Sequence, residues 1–448
     1  MPRPGVIFPL LLIFFAVFAA AAVAYGTDPA WAHLDHGLQM IVWSRRLQWP
    51  MVTLSIVLCV ALMALAISGR RRVWWMIGLT PVMALFVHWF QANRPHNGAV
   101  VENPRFLEAS HPSVAMGDGD WVVSVSFGEV TYAYPYAALF RSPVVLQSDH
   151  ENWMVLLWSA YANRVLAFQS THELKARDLE LVSMPANAPL LYNGRLGQFV
   201  NAFTGQTLDG QRPASFGKPI RADKMTWRQW RDAYPNGKVW WPVRAPDGPK
   251  QPIAPAFAAK GIQPVNRSAE ALAAGAAPAP VRKRVVVIGT THPAAVLTDQ
   301  LGPNPLNLKA DGEPFFVFRR DPSAPAQAFS GHFAEGIYSK FESKRDPKHP
   351  DAMFKDVDTE TLWSAAGVGV GGNREYRGKR LTPIPVDDGV DWEVLKYWYP
   401  DVEIYREPPK PPPPPVVAPP AATHKAKRPT TRPSRKARPP ASASHGAE

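Results

Sequence analysis

Three stretches near the N-terminus are apolar for long enough to matter before any motif is sought. Residues 5–25 (GVIFPLLLIFFAVFAAAAVAY), 50–69 (PMVTLSIVLCVALMALAISG) and 73–91 (VWWMIGLTPVMALFVHWFQ) carry no Asp, Glu, Lys or Arg. Each is near the length that crosses a bilayer as a helix. Pro81 is tolerable inside such a span, and His88 near its end reads as an interfacial residue. Trp74, Trp75 and Trp89 stand at the two ends of the third run, where indoles favour the membrane interface. Beyond residue 98 the pattern changes to short alternating runs. WVVSVSF, TYAY, WMVLLW and RVLAF read as strands, with a turn at Gly128-Glu129. TWRQWRDAYPNGKVW departs from alternation: Thr226 is a candidate N-cap, and Trp227, Trp230 and Tyr234 share one helix face. Pro235 stops that helix, Asn236-Gly237 turns the chain and a strand follows.

The same corner recurs as DWEVLKYWYPDVEIY at 391–405, with Asp391 as cap candidate, Trp392, Leu395 and Tyr399 on the face and Pro400 as stop. At one constant offset Val125 falls on Val286, Gly128 on Gly289 and Ala167-Phe168 on Ala328-Phe329; the Trp-Tyr-Pro block matches at a slightly longer one, Trp227 falling on Trp392. Ordered blocks at nearly one offset predict a tandem pair of modules, 99–242 and 281–406. The expected class is α+β: N-terminal transmembrane helices, then two β-rich repeated modules, each with a short Trp-x-x-Trp/Leu helix near its end. Residues 1–25 form a first transmembrane helix or, with Ala22-Val23-Ala24 as a cleavage site, a signal peptide. Residues 50–91 form a transmembrane pair, 243–280 a Pro/Ala-rich linker and 407–448 a disordered Pro-rich basic tail.

Composition sharpens this picture. The net charge is +12, but the tail holds eight basic side chains against only Glu407 and Glu448, so half of the excess is local to it. Arg3 and Arg70, Arg71 and Arg72 place those segments in the cytoplasm by the positive-inside rule, which sends residues 92–448 outside; Arg45 and Arg46 run against the rule. The expected address is the bacterial inner (cytoplasmic) membrane, multi-pass, with the large C-terminal part facing the periplasm or exterior. On that side the partners expected are membrane lipid, an anionic envelope polymer or lipid head groups on the basic tail, and an envelope protein, with no nucleic acid. The single cysteine, Cys59, excludes an intrachain disulfide and a CxxC site.

Chemistry is sparse. Asp149-His150-Glu151 is dense in titratable groups, but neighbours in an extended segment point to opposite faces. His33 and His36 are too few for a metal site. Gly367–Gly372 lacks the Lys-Ser/Thr of a phosphate loop, although Arg374 and Arg377 follow it. The charge run 340–349 reads as a solvated loop. No catalytic set, metal motif or cofactor fingerprint is present in the sequence.

The ordered motifs resemble those of a bacterial family named domain of unknown function 3179. In the first half these are Tyr134-Pro135, Phe203-Thr204-Gly205, Trp227, Trp230 and Tyr234-Pro235; in the second they are Thr361-Leu362-Trp363-Ser364, Gly378-Lys379-Arg380-Leu381, Pro383, Trp392 and Tyr399-Pro400. The resemblance covers most of 120–242 and 284–405. It implies a Tyr-Cys-Pro-x-Cys strand that here falls on Trp158-Ser159-Ala160-Tyr161-Ala162, without either cysteine; Arg320-Asp321-Pro322-Ser323 lacks them too. A His-Glu pair implied by the family falls near Arg141-Ser142-Pro143. Two functions remain. One is a non-catalytic binding or scaffolding module of the envelope. The other is an envelope enzyme or small-ligand or metal carrier, with a site between the modules lined by Trp153, Trp158, Tyr161, Trp227 and Trp230.

Overall fold

In a computed structural model the described residues are 4–27, 36–68, 73–93, 99–241 and 283–405, with gaps at 161, 186–187, 311, 323, 335–336 and 345. The linker 243–280, the tail 407–448, Arg3, His33, Tyr161 and Arg70, Arg71 and Arg72 lie outside the described residues.

The apolar N-terminal runs are helical: α1 (Pro4–Gly26), α2 (Gly37–Ser68) and α3 (Val73–Asn93). Among the described residues two are long and apolar enough to cross a membrane, over Ile7–Gly26 and Gly37–Leu65, and α3 contributes the apolar stretch Ile77–Phe90. Small side chains on α1 (Ala16, Ala19, Ala20 and Ala24) are fully buried, which lets backbones approach closely. The Ser55 hydroxyl of α2 donates to the Ala16 carbonyl at 3.0 Å. Helix α2 starts well before the expected 50–69, runs through Pro50 and takes in Arg45 and Arg46.

The β-rich region begins at residue 100. Its first half has three sheets. One is ordered β13 (Ala222–Thr226), β3 (Trp121–Phe127), β4 (Val130–Pro135), β14 (Lys238–Trp240), β2 (Phe106–Glu108). The second is β1 (Val100–Glu102), β5 (Val144–Asp149), β6 (Asn152–Ser159), β7 (Arg164–Ser170), β12 (Phe216–Ile220). The third is β11 (Gln206–Thr207), β10 (Gln198–Asn201), β9 (Leu190–Asn193), β8 (Leu179–Ser183). The second half has β27 (Val386–Asp391), β15 (Arg284–Ile288), β16 (Ala294–Leu297), β28 (Ile404–Tyr405) in one sheet. Another is β17 (Leu306–Ala310), β18 (Glu313–Phe318), β19 (Gln327–Ser330), β26 (Pro383–Ile384). A third is β22 (Phe341–Ser343), β23 (Ala352–Asp356), β24 (Leu362–Ser364), β25 (Gly369–Gly371), beside the hairpin β20 (His332–Ala334) and β21 (Ile337–Tyr338).

Among the described residues three short α-helices punctuate the strands: α4 (Tyr136–Leu139), α5 (Trp227–Ala233) and α6 (Trp392–Trp398). Helix α5 opens with a capping box. The Thr226 hydroxyl accepts from the Gln229 amide at 3.4 Å, and the Gln229 side chain accepts from the Thr226 amide at 3.1 Å. At α6 a carboxylate oxygen of Asp391 accepts from the amides of Glu393 and Val394, at 3.0 and 3.3 Å, and adds negative charge where the helix dipole favours it. Strands β5, β6 and β7 read as apolar runs rather than alternations because both faces are covered; Val144, Leu156, Leu157 and Phe168 are essentially inaccessible.

The early start of α2 has a structural use. Leu38 and Val42 pack against Val182, Leu190 and Phe199 on one face of the β8–β11 sheet, whose other face, with Leu181, Leu191 and Val200, belongs to the first-half core. Arg45 pairs with Glu180 and lies 6.0 Å from the centre of the Tyr192 ring; Arg46 lies 6.0 Å from that of Phe199. Arg45 therefore has its counter-charge in the β-rich region. The same helix that is long and apolar enough to cross a membrane also roofs a sheet.

Candidate functional site

Strands β7, β13 and β27 meet where the two halves join, and they bring charged side chains into the interior. Lys224 of β13 has a side chain only 2% exposed and pairs with Asp387 of β27, itself 7% exposed. Its ammonium also donates to the carbonyls of Asn163 and of Asp388, the latter at 2.6 Å. The ammonium thus has two backbone acceptors and one carboxylate counter-charge, and two of these three come from the other half of the chain. The second Asp387 oxygen accepts from the Val165 amide at 2.8 Å and lies 3.7 Å from Nε of Arg164, whose side chain is 1% exposed. Arg319 donates to Asp388 at 2.6 Å. The Asn163 side chain donates to the Gly389 carbonyl at 3.2 Å and accepts from the Tyr136 hydroxyl at 2.9 Å. Asn163 holds φ at +51°, a conformation asparagine tolerates better than most residues.

Burial sets the electrostatics. Desolvation pushes the Lys224 ammonium below the usual lysine range, and the charge and hydrogen bond of Asp387 oppose that fall. Burial pushes the Tyr136 phenol well above its ordinary value, with Asp387 and Asp388 adding to the rise, so it serves as a neutral hydrogen-bond donor. Apolar packing extends the contact between the halves. Ala162, Ala188 and Phe203 belong to one core cluster with Val285, Val287, Val390 and Leu395. The Asp391 amide donates to the Ala162 carbonyl at 2.9 Å, so the chain just after β6 is tied to the start of α6. A cavity of about 20 Å³ lies between β7, β12 and β13 on one side and β15 and β27 on the other, with Arg164 and Asp387 in its lining.

The aromatic residues read from the sequence are distributed elsewhere. Trp158 is fully buried in the first-half core, 4.9 Å from the ring centres of both Tyr136 and Phe140. Trp227 and Trp230 stack at 5.3 Å in a separate cluster, where the Trp230 indole donates to Ser124 at 3.1 Å. Trp153 is half-buried, with the Lys175 ammonium 4.4 Å from its ring centre. These four indoles do not converge on one cavity, and Tyr161 is outside the described residues.

The remaining candidates resolve into local structure. His150 sits at φ +51° on the β5–β6 turn, its side chain 94% exposed, with Asp149 3.8 Å away. The glycines of 367–372 are required by packing: a Cβ on Gly367 would stand 2.6 Å from Phe329, and one on Gly371 would stand 2.7 Å from His349. Asp356, which no sequence pattern singled out, is fully buried. It accepts from the amides of Thr359 (2.6 Å) and Thr361 (3.2 Å), the Thr359 hydroxyl and the Trp363 indole (3.0 Å), and so shapes the turn before Leu362-Trp363-Ser364. Among the described residues no group of three or more His, Cys, Asp or Glu is placed to hold a metal.

The junction groups escaped sequence reasoning because Arg164 and Asp387 lie in different halves of the chain, and each is an unremarkable polar position on a strand. Lys224 and Asp387 stand on strands of mixed polarity, ADKMT and VDDGVD, which gave no signal that would have found them. No curated protein and no solved structure matches the chain. Residues 99–402, spanning both halves and the junction between them, match a family described as protein of unknown function (DUF3179), and the chain belongs to that family.

Proposed function

We propose that this protein is a membrane-anchored, non-catalytic binding or scaffolding module of the bacterial cell envelope, made of two copies of one β-rich unit. The observation that carries the reading is the filled junction. Where a substrate cleft between domains is commonly found, this chain has paired buried charges and a shared apolar cluster, with a cavity of about 20 Å³ left over. The segment 158–162, where the family resemblance implies a cysteine pair, contributes Ser159, Ala160 and Ala162 instead. The duplication is supported by the strand order. The sets β13-β3-β4-β14, β5-β6-β7-β12 and β8-β9-β10-β11 find counterparts in β27-β15-β16-β28, β17-β18-β19-β26 and β22-β23-β24-β25. The outer pairs agree in sense: β13 with β3 and β27 with β15 are antiparallel, while β14 with β4 and β28 with β16 are parallel. Helices α5 and α6 hold corresponding places, each starting directly after the edge strand β13 or β27.

Anchoring through α1 and α2, with α3 as a further span, places the β-rich region on the outer face of the inner membrane if Arg3 and Arg70, Arg71 and Arg72 stay inside. The tail beyond residue 406 then meets anionic lipid head groups or envelope polymer. The test is native mass spectrometry of the full chain in detergent, with the same sample denatured as reference. A polypeptide mass carrying only lipid or small inorganic ions agrees with the proposal. An organic molecule that leaves on denaturation contradicts it and moves the reading to a ligand carrier or enzyme.

A further inference from the structure

We propose that the cavity beside Arg164 holds one halide-sized monovalent anion, which completes the junction; the inference rests on reading that junction as a structural lock. The Nε of Arg164 is already used, donating to the Phe203 carbonyl at 3.3 Å beside Asp387. Its two terminal nitrogens are buried and have no hydrogen-bond partner among the described residues. Buried donors in native proteins are paired, so the acceptor here comes from outside the polypeptide.

Charge and size select it. Among the described residues, Arg164, Lys224 and Arg319 form ion pairs only with Asp387 and Asp388. Three basic side chains thus face two carboxylates, a formal excess of one positive charge; Arg319 Nε and one oxygen each of Asp387 and Asp388 also have no hydrogen-bond partner among the described residues, and the Arg164 guanidinium lies 5.4 Å from the centre of the Phe203 ring. The cavity, about 20 Å³, just exceeds the ~10–15 Å³ that admits one water-sized occupant. A phosphate or a carboxylic acid is too large for it. Phe168, Ile220 and Val287 supply apolar wall, and a guanidinium is itself weakly hydrated, which suits a halide better than a strongly hydrated ion.

The test uses the full chain in detergent. Crystals grown in bromide should show an anomalous peak against the terminal nitrogens of Arg164. In solution the thermal midpoint should rise with the logarithm of chloride or bromide concentration at constant ionic strength, because the ion binds only the folded state. Arg164→Lys keeps a charge but loses the paired donors, and its halide dependence should vanish. No peak at Arg164, a water-like density insensitive to bromide, or peaks confined to the surface would overturn the proposal. If Arg164→Lys fails to fold, the bromide peak in the unaltered chain decides alone. Failure of the lock itself reads out separately, as absence of energetic coupling between Lys224 and Asp387 with the bromide peak still in place.

Discussion

Replacing Asp387 by Asn removes the one carboxylate that Lys224 and Arg164 share. The amide oxygen of Asn can still accept from Val165, so the loss is of charge rather than shape. Removing one partner of a buried ion pair costs about 3–5 kcal/mol, because the other charge stays buried. Two features hold the expected value near the lower end. Lys224 keeps two backbone acceptors, and its ammonium, already pushed down by burial, loses the Asp387 contribution that had opposed the fall. It can therefore shed its proton instead of remaining charged. For a unit that spans both halves, roughly 250 residues or a little more, a loss of about 3 kcal/mol corresponds to a fall in midpoint of about 5–6 °C.

The pH dependence has a definite sign. Between the lowered folded pKa of Lys224 and the ordinary lysine value the unfolded chain binds more protons, so stability rises with pH through that window. Lower pH forces a proton onto a buried amine, and Asp387→Asn widens the window downward. Thermal melts of the full chain in detergent, followed by tryptophan fluorescence at pH 6 and pH 9, should show the larger deficit at pH 6. The double variant Lys224→Met/Asp387→Leu deletes the buried amine, so its deficit should no longer grow between pH 9 and pH 6, although it leaves the Val165 amide without its acceptor and Arg164 without its carboxylate. A midpoint within about 2 °C of the unaltered chain at both pH values, for which this energetic reasoning leaves no room, would refute the argument.

Other perturbations probe other parts of the fold. A chain starting at residue 99 lacks α2 and uncovers Val182, Leu190 and Phe199; it should bind a hydrophobic dye and self-associate where the full chain does not, and a dye-negative monomer would deny α2 its roofing role. Asp356→Asn replaces an acceptor of the Trp363 indole and of two backbone amides with a group that also donates, and chemical denaturation should report a loss of about 2–4 kcal/mol. Gly369→Ala drives a methyl into the Tyr376 carbonyl; because the obstacle is backbone, the fall in midpoint should exceed that of Gly378→Ala, where no atom stands within 4 Å, although its φ of +77° adds some strain. Tyr136→Phe leaves the Asn163 oxygen without its donor and should lower stability by about 1–3 kcal/mol, measured in the same assay.

Local structure was legible where one segment contains its own cause. Thr226 with Gln229 three residues on, and Asp391 before Trp392, announce helix starts by side-chain chemistry; Pro235 and Pro400 announce stops. The apolar N-terminal runs reveal helices by composition, but their packing partners are invisible. Nothing in the sequence of α2 states that Leu38 and Val42 face a sheet, or that Glu180 awaits Arg45. The tryptophans illustrate a different limit: spacing marks Trp227 and Trp230 as one helix face, yet cannot say whether that face meets core or ligand. The junction was the least legible part. Lys224 sits in a strand of mixed polarity, and its meaning appears only when β27, far along in the second half, supplies Asp387. Long-range pairing of charges leaves no periodicity to read.

Hydrogen-exchange mass spectrometry on the full chain in a lipid nanodisc tests most directly whether the two halves form one unit around this junction. The amides of Val165 and Asp391, each bonded across the junction, should be among the most protected in the unaltered chain, and β7, β13 and β27 should exchange together. In Asp387→Asn the same three strands should lose protection together. Fast exchange of β27 while β7 and β13 stay protected would mean that the halves open independently and would contradict the account.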